Sequence, residues 1–358
     1  MEKHFSIDAS RRQANQSHNL TRRATVAFEQ EKLRKEMTRF FRVWNEALKS
    51  TRLAAAGFAL LAAIVLAPAT GVRAAAGSPD SSLPSIPLNA ARKSASDLEV
   101  GGELTGLPRG ATRYVTLASL LTLPQVTYTV ADDTNFAGSA GGGTKISGVP
   151  LEELAKRLGA APESDMVVAI CDDKYRANYP RDYVRAHHPL LVLRVNGQLP
   201  ARWPKDRETH QFSMGPYMIS HPKFTPAFTA LSHTDEAQIP WGVVRIEFRD
   251  ERAVVGAIAP RGPRAQGPAV QAGYRIAEQN CFRCHNMGGE GGEKSGRPWL
   301  VLAAWAAASP EYFSAYVRAP RKKNRHAEMP ANRGYDDATI RAIREYFATF
   351  IPVPAEKP

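Results

Sequence analysis

Cys281-Phe282-Arg283-Cys284-His285 sets two thiols three positions apart and places an imidazole directly after the second. That spacing is close to one helical turn, so both thiols can reach one flat ligand while the imidazole turns toward its centre. The chemistry this serves is c-type haem attachment: two thioethers to the haem vinyl groups and an axial bond from His285 to iron. A CxxC alone would leave zinc, a redox dithiol and haem open. The added histidine and the flanking sequence decide between them.

The elements that must position this motif are helical. Ala269–Asn280 (AVQAGYRIAEQN) leads into it. Asp336–Phe350 (DDATIRAIREYFATF) carries Ile340, Ile343, Tyr346 and Phe347 on one stripe, with Asp336 or Asp337 as N-cap. A middle helix is expected after Ser309-Pro310-Glu311, with Ser309 capping, Pro310 in the first turn, and Tyr312, Phe313, Tyr316 and Val317 along it. Over about 85 residues this segment resembles a class I cytochrome c, an all-α fold. The resemblance implies that Gly273 and Tyr274 pack against the last helix. It also implies that Met329, in Glu328-Met329-Pro330, is the sixth iron ligand, and that the Pro298 carbonyl in Arg297-Pro298-Trp299-Leu300 accepts the His285 Nδ1–H. A soft thioether stabilises reduced iron relative to a second imidazole. Met329 lies 44 residues after His285, enough chain to pass around a haem and return on its far face. Met287 follows His285 too closely for that. His326 is the rival. Arg321, Lys322, Lys323 and Arg325 crowd the approach to Met329, as a solvated loop or as a docking rim for an acidic redox partner.

Residues 96–257 carry strand-like runs at Tyr114–Leu120, Val126–Val130, Met166–Ile170, Leu190–Val195 and Val243–Phe248, with a helical pattern at Pro150–Leu158. The mixture argues for an α+β domain. Its ordered segments are Leu98–Leu104, Thr116–Pro124, Ile146–Leu151, Asp172–Tyr175, Pro189–Gly197 and Trp241–Phe248. Together they resemble the molybdopterin-binding domain of the sulfite-oxidase type, a mixed-sheet fold. That family places a molybdenum-ligating cysteine shortly after the strand following the Leu-Pro segment. Here the stretch is Val126–Phe136 and holds Asp132 and Asp133 but no cysteine. Cys171 ends the apolar run MVVAIC and reads as a buried structural thiol. Arg176, Arg181, Arg185 and Arg202 are available to a pterin phosphate but form no clear phosphate loop. His187, His188 and His210 lack metal-ligand spacing. Gly138–Gly143 lacks the Lys-Ser/Thr of a phosphate-binding loop, so nucleotide binding is unsupported.

The formal charge of the 358-residue chain is +12, but residues 1–76 hold 13 Lys/Arg and 6 Asp/Glu, which leaves about +5 for the rest. Nucleic-acid binding does not follow from so local an excess. Residues 51–76 read as a signal peptide: Lys49 and Arg52 precede the apolar run Leu53–Leu66, Pro68 and Gly71 break it, and Ala74-Ala75-Ala76 offers a cleavage site. The run is short for a membrane span, which needs about 20 apolar residues. An uncleaved helix would instead anchor the protein. Residues 1–50 form an extension without targeting logic, and Met37 would make a shorter start. The expected order is then a linker at 77–95, the α+β domain at 96–257, a Pro/Gly-rich linker at 258–267, the haem domain at 268–352 and a tail at 353–358. Export fits covalent haem. Two of three cysteines serve it, and Cys171 is left without a disulfide partner.

The expected function is that of a periplasmic c-type cytochrome that passes single electrons between a redox protein or dehydrogenase and an acceptor. The α+β domain would serve docking or ligand binding. The alternative is a molybdopterin-dependent oxidoreductase of the sulfite-oxidase type with a fused haem c, its metal held by Cys171 or an oxygen ligand.

Overall fold

The computed structural model describes residues 86–130, 143–203 and 214–351. The signal segment, Met37, residues 77–85 of the first linker, Asp132, Asp133, Gly138–Gly142, His210 and the tail lie outside them. All described residues belong to one unit, Ser78–Pro358.

Between residues 98 and 256 the chain forms strands β1 (Leu98–Gly102), β2 (Arg113–Val115), β3 (Val126–Val130), β4 (Thr144–Pro150), β5 (Met166–Cys171), β6 (Arg176–Pro180), β7 (Leu190–Val195), β8 (Met218–Ser220), β9 (Thr229–Ala230), β10 (His233–Thr234) and β11 (Val243–Arg249). Helices α1 (Leu117–Leu121), α2 (Leu151–Leu158), α3 (Arg181–His187) and α4 (Glu251–Gly256) connect them. One sheet has the order β2-β1-β11-β5-β6, and a second has β3-β4-β7-β8. In the first sheet β1 and β11 run parallel and the other pairs antiparallel.

The expected run Tyr114–Leu120 splits in two. Thr116 Oγ1 accepts from the Ser119 amide at 3.1 Å, and this cap turns Leu117–Leu121 into a helix where the β-propensity of the flanking residues suggests a strand. Pro150 stands immediately before α2, as its fixed φ allows, and Leu151, Leu154 and Leu158 face inward.

Strand β5 is apolar at every position because both of its faces are covered. Val167, Ala169 and Cys171 point into a core with Leu98, Val100, Leu154 and Phe248. Met166 and Val168 point the other way, into a core built mainly from C-terminal helices. A strand buried on two faces loses the polar alternation of a half-exposed one.

Those helices are α5 (Pro268–Ile276), α6 (Trp299–Ala308), α7 (Pro310–Arg318), α8 (Pro320–Lys323) and α9 (Asp337–Ala348), with a small hairpin of β12 (Asn286–Met287) and β13 (Glu290–Gly291). Asp336 caps α9: its Oδ1 accepts from the Thr339 amide at 2.8 Å. Ser309 occupies the N-cap position of α7, but its side chain makes no capping bond. Helices α5 and α9 cross at Gly273, where an added Cβ would lie 2.1 Å from the Ala342 carbonyl oxygen. Only a glycine permits that approach, in line with the small residue the resemblance places there. Ile258, at the start of the Pro/Gly-rich segment, is buried, and its carbonyl accepts from Tyr346 Oη at 2.6 Å. Met166 and Val168 of β5 share the core of these helices, so the helical region packs directly against the sheet.

Candidate haem site

Helix α5 does not stop at Ile276. It widens into a π-turn over Ala277–Cys281, which delivers Cys281 to the head of the motif. The Cys284 and His285 amides then both close on the Cys281 carbonyl, at 3.2 and 3.0 Å. Gly292 lies beneath this turn: its amide donates to the Phe282 carbonyl at 2.9 Å, and a Cβ there would lie 1.8 Å from the Arg283 carbonyl oxygen. Cys281 and Cys284 are free and partly exposed. Burial, then the neighbouring Cys284, pushes the Cys281 thiol up to about 12, and burial raises Cys284. Among the described residues no group of three or more His, Cys, Asp or Glu could hold a metal ion.

His285 is 8% exposed, and its Nδ1 lies 2.6 Å from the carbonyl oxygen of Arg297. A carbonyl only accepts, so Nδ1 carries the proton and Nε2 keeps its lone pair for a metal. Burial holds the imidazole below its usual range, which favours the neutral form that ligates. The acceptor differs from expectation by one residue. Pro298 is the N-cap of α6, and its carbonyl takes the Val301 amide at 2.9 Å. A carbonyl committed to opening a helix is turned away from His285, so the task falls to Arg297.

His285 and Met329 line one cavity of about 540 Å³, with Cys281 and Cys284 also on its wall. Leu302, Phe313, Val317, Ile343 and Phe347 supply its apolar lining. Its volume lies within the usual range for cofactor sites, about 300–1,000 Å³. Two thiols, an oriented imidazole and an apolar cleft fit a covalently held haem. Met329 is partly buried against the helical core. His326 also reaches the cavity but is exposed, and its Nε2 accepts from Arg325 Nε at 2.9 Å. Met287 packs into the helical core from β12. Arg321, Lys322, Lys323 and Arg325 are all exposed.

The sheet region completes this cavity, which the sequence reading missed. Tyr175 and Glu236 stand on its wall. The β5–β6 turn is bonded to the haem motif: the Arg176 amide donates to the Arg283 carbonyl at 2.9 Å, and the Glu293 amide donates to Lys174 at 3.0 Å. Arg176, with a side chain 6% exposed, pairs with Glu290 at 2.7 Å, and Arg249 pairs with the same carboxylate. Lys294 pairs with Asp173. Deeper in, a polar chain crosses the seam. Asn280 donates to Tyr335 Oη at 2.8 Å, and Tyr335 lies 2.9 Å from His233 Nδ1. His233 Nε2 meets Gln279 Oε1 at 2.5 Å, and Gln279 donates to Asp235. The signal for this contact was the unbroken apolar run of β5.

The remaining candidates do not converge on a second site. Cys171 is 3% exposed in the inner sheet core, where burial and then Asp173 and Asp172 push its thiol up. Arg181, Arg185 and Arg202 are exposed, while Arg176 is spent in the seam. His187 is buried 3.7 Å from Asp235, and His188 is an exposed C-cap of α3.

Residues 268–347 match the family described as Cytochrome C oxidase, cbb3-type, subunit III. No curated protein matches the chain. Among solved structures the chain is similar to the sulfane dehydrogenase SoxCD from Paracoccus pantotrophus, at 17% identity and a TM-score of 0.29. That match covers 49% of this chain and 45% of the other, so the chain spans less than half of that protein. The family match and the cavity agree on one point: residues 268–347 resemble a cytochrome c domain, and the cavity there has the residues that would hold a covalent haem.

Proposed function

We propose that this chain is an exported electron carrier whose haem, thioether-linked through Cys281 and Cys284, is ligated axially by His285 and Met329. The observation that carries this reading is the shared cavity: both ligands and both cysteines line it, and the Arg297 carbonyl orients His285. With both axial positions filled by protein, the iron has no open site for substrate, and outer-sphere transfer of single electrons is the chemistry left to it. The exposed Arg321, Lys322, Lys323 and Arg325 would speed encounter with an acidic periplasmic redox partner, an effect that salt should weaken. The sheet region serves as docking scaffold and as part of the haem pocket. Cys171, folded into an apolar core, is poorly placed to ligate molybdenum. Among the described residues no helix is long and apolar enough to cross a membrane.

Met329→Ala tests the axial assignment. The expected product keeps covalent haem, has a lower reduction potential and gains an open coordination site that binds added imidazole. An unchanged potential would shift the assignment to His326. Elemental analysis of protein matured in a host that makes both cofactors should give one iron and no molybdenum per chain. Stoichiometric molybdenum would overturn the carrier reading.

A further inference from the structure

We infer that the Arg297 side chain binds a haem propionate, so that one residue holds the iron's ligand through its carbonyl and the haem's carboxylate through its guanidinium. The inference rests on the cytochrome c domain and not on the direction of electron flow. A haem tied by its vinyl edge to Cys281 and Cys284 projects its two carboxylates from the opposite edge of the macrocycle. That edge needs cationic or hydrogen-bonding partners, since a carboxylate taken out of water is costly unless paired.

Arg297 is on the cavity wall. Its guanidinium lies 5.1 Å from the Trp305 ring centroid and 5.8 Å from that of Tyr316, and both rings also line the cavity. Stacking on aromatic faces fixes the plane of the cation while leaving its N–H edges free. Among the described residues no carboxylate pairs with it, unlike Arg176, Arg245, Arg249 and Arg318. A planar, pre-oriented cation with unspent donors beside a dicarboxylate cofactor forms the bidentate pair that guanidinium groups favour. Its carbonyl, 2.6 Å from His285 Nδ1, ties the same backbone segment to the proximal ligand.

The test uses the full chain carrying haem labelled with 13C in its propionate carboxyl groups. Reduced-minus-oxidised infrared difference spectra then isolate the haem carboxylates. Arg297→Gln should shift the labelled carboxylate band and lower the reduction potential, because a cation that favours the reduced haem is gone. Arg297→Lys should restore most of the potential yet still shift the band, because an ammonium replaces a two-point contact with one. A labelled band that stays in place in Arg297→Gln overturns the inference, whatever the potential does. If Arg297→Gln does not accumulate, an unmoved band in Arg297→Lys overturns it equally. Absence of covalent haem in the unaltered protein would instead defeat the domain reading on which the inference stands.

Discussion

The helical region and the sheet region treat polar groups in opposite ways. In the helical region the chemistry is concentrated: thiols, imidazole and thioether come from two short stretches, and Leu302, Phe313, Val317, Ile343 and Phe347 supply an apolar part of the cleft around them. In the sheet region the ionisable groups are spread along strand edges and largely neutralise one another, as Arg245 does with Glu99 and Glu247. The first arrangement keeps donors for a cofactor. The second spends them on the seam. A region can thus be necessary to a redox site without owning a reactive group, by closing a wall and fixing a turn.

The contrast breaks most visibly when the cofactor is removed. Cys281→Ser with Cys284→Ser should abolish covalent haem, read by haem staining after denaturing electrophoresis. It should also cost most of the helical circular dichroism of residues 268–351, while the inner sheet core survives limited proteolysis. Loss of both regions together would show that the sheet depends on the haem as much as the helices do.

Gly273→Ala drives a Cβ into the Ala342 carbonyl, so α5 and α9 must separate. The expected cost is about 3 kcal/mol in chemical denaturation. A neutral result would mean that the crossing is looser than the contact implies.

Arg176→Ala strips a buried cation from Glu290, which keeps Arg249. The expected destabilisation is about 2 kcal/mol, with faster proteolysis at the β5–β6 turn. Unchanged protection there would remove the turn as the element joining the regions.

The smallest effect belongs to Glu278. Burial and then Glu251 raise its carboxyl to about 7 from the usual 4.5. Between those values the folded chain binds more protons than the unfolded one, so this group's contribution to stability falls as pH rises. Glu278→Gln should match the parent near pH 4 and exceed it above pH 7 by on the order of 1–2 kcal/mol, after allowance for solvent screening. A gain in Tm independent of pH would point to packing instead.

What could be read from the sequence follows the same division. The haem motif is contiguous, and its residue types are chemically rare, so Cys281 to His285 needed no fold to be recognised. The α9 cap and stripe were equally local, and Asp336 behaves as expected. The Pro298 expectation failed by one residue because which of two adjacent carbonyls faces a ring depends on where a helix begins. Helix α6 went unread because WLVLAAWAAA has no polar face to show a period. The seam went unread because its partners are more than a hundred residues apart, as Arg176 and Glu290 are. Only the two-sided apolarity of β5 announced it.

The parallel pairing of β1 with β11 aligns Glu99 with Arg245. Closing so long a loop is slow compared with forming helix contacts between near neighbours. The central strand β11 ends at Arg249, so the sheet is complete only when a segment nearly 150 residues beyond β1 has joined it. Strand β5 beside it is covered on both faces, so the sheet that closes the inner core also presents Met166 and Val168 to the helical core. A substitution that unseats this one strand would therefore loosen two cores at once, and the β5–β6 turn bonded to Arg283 would lose its support with them.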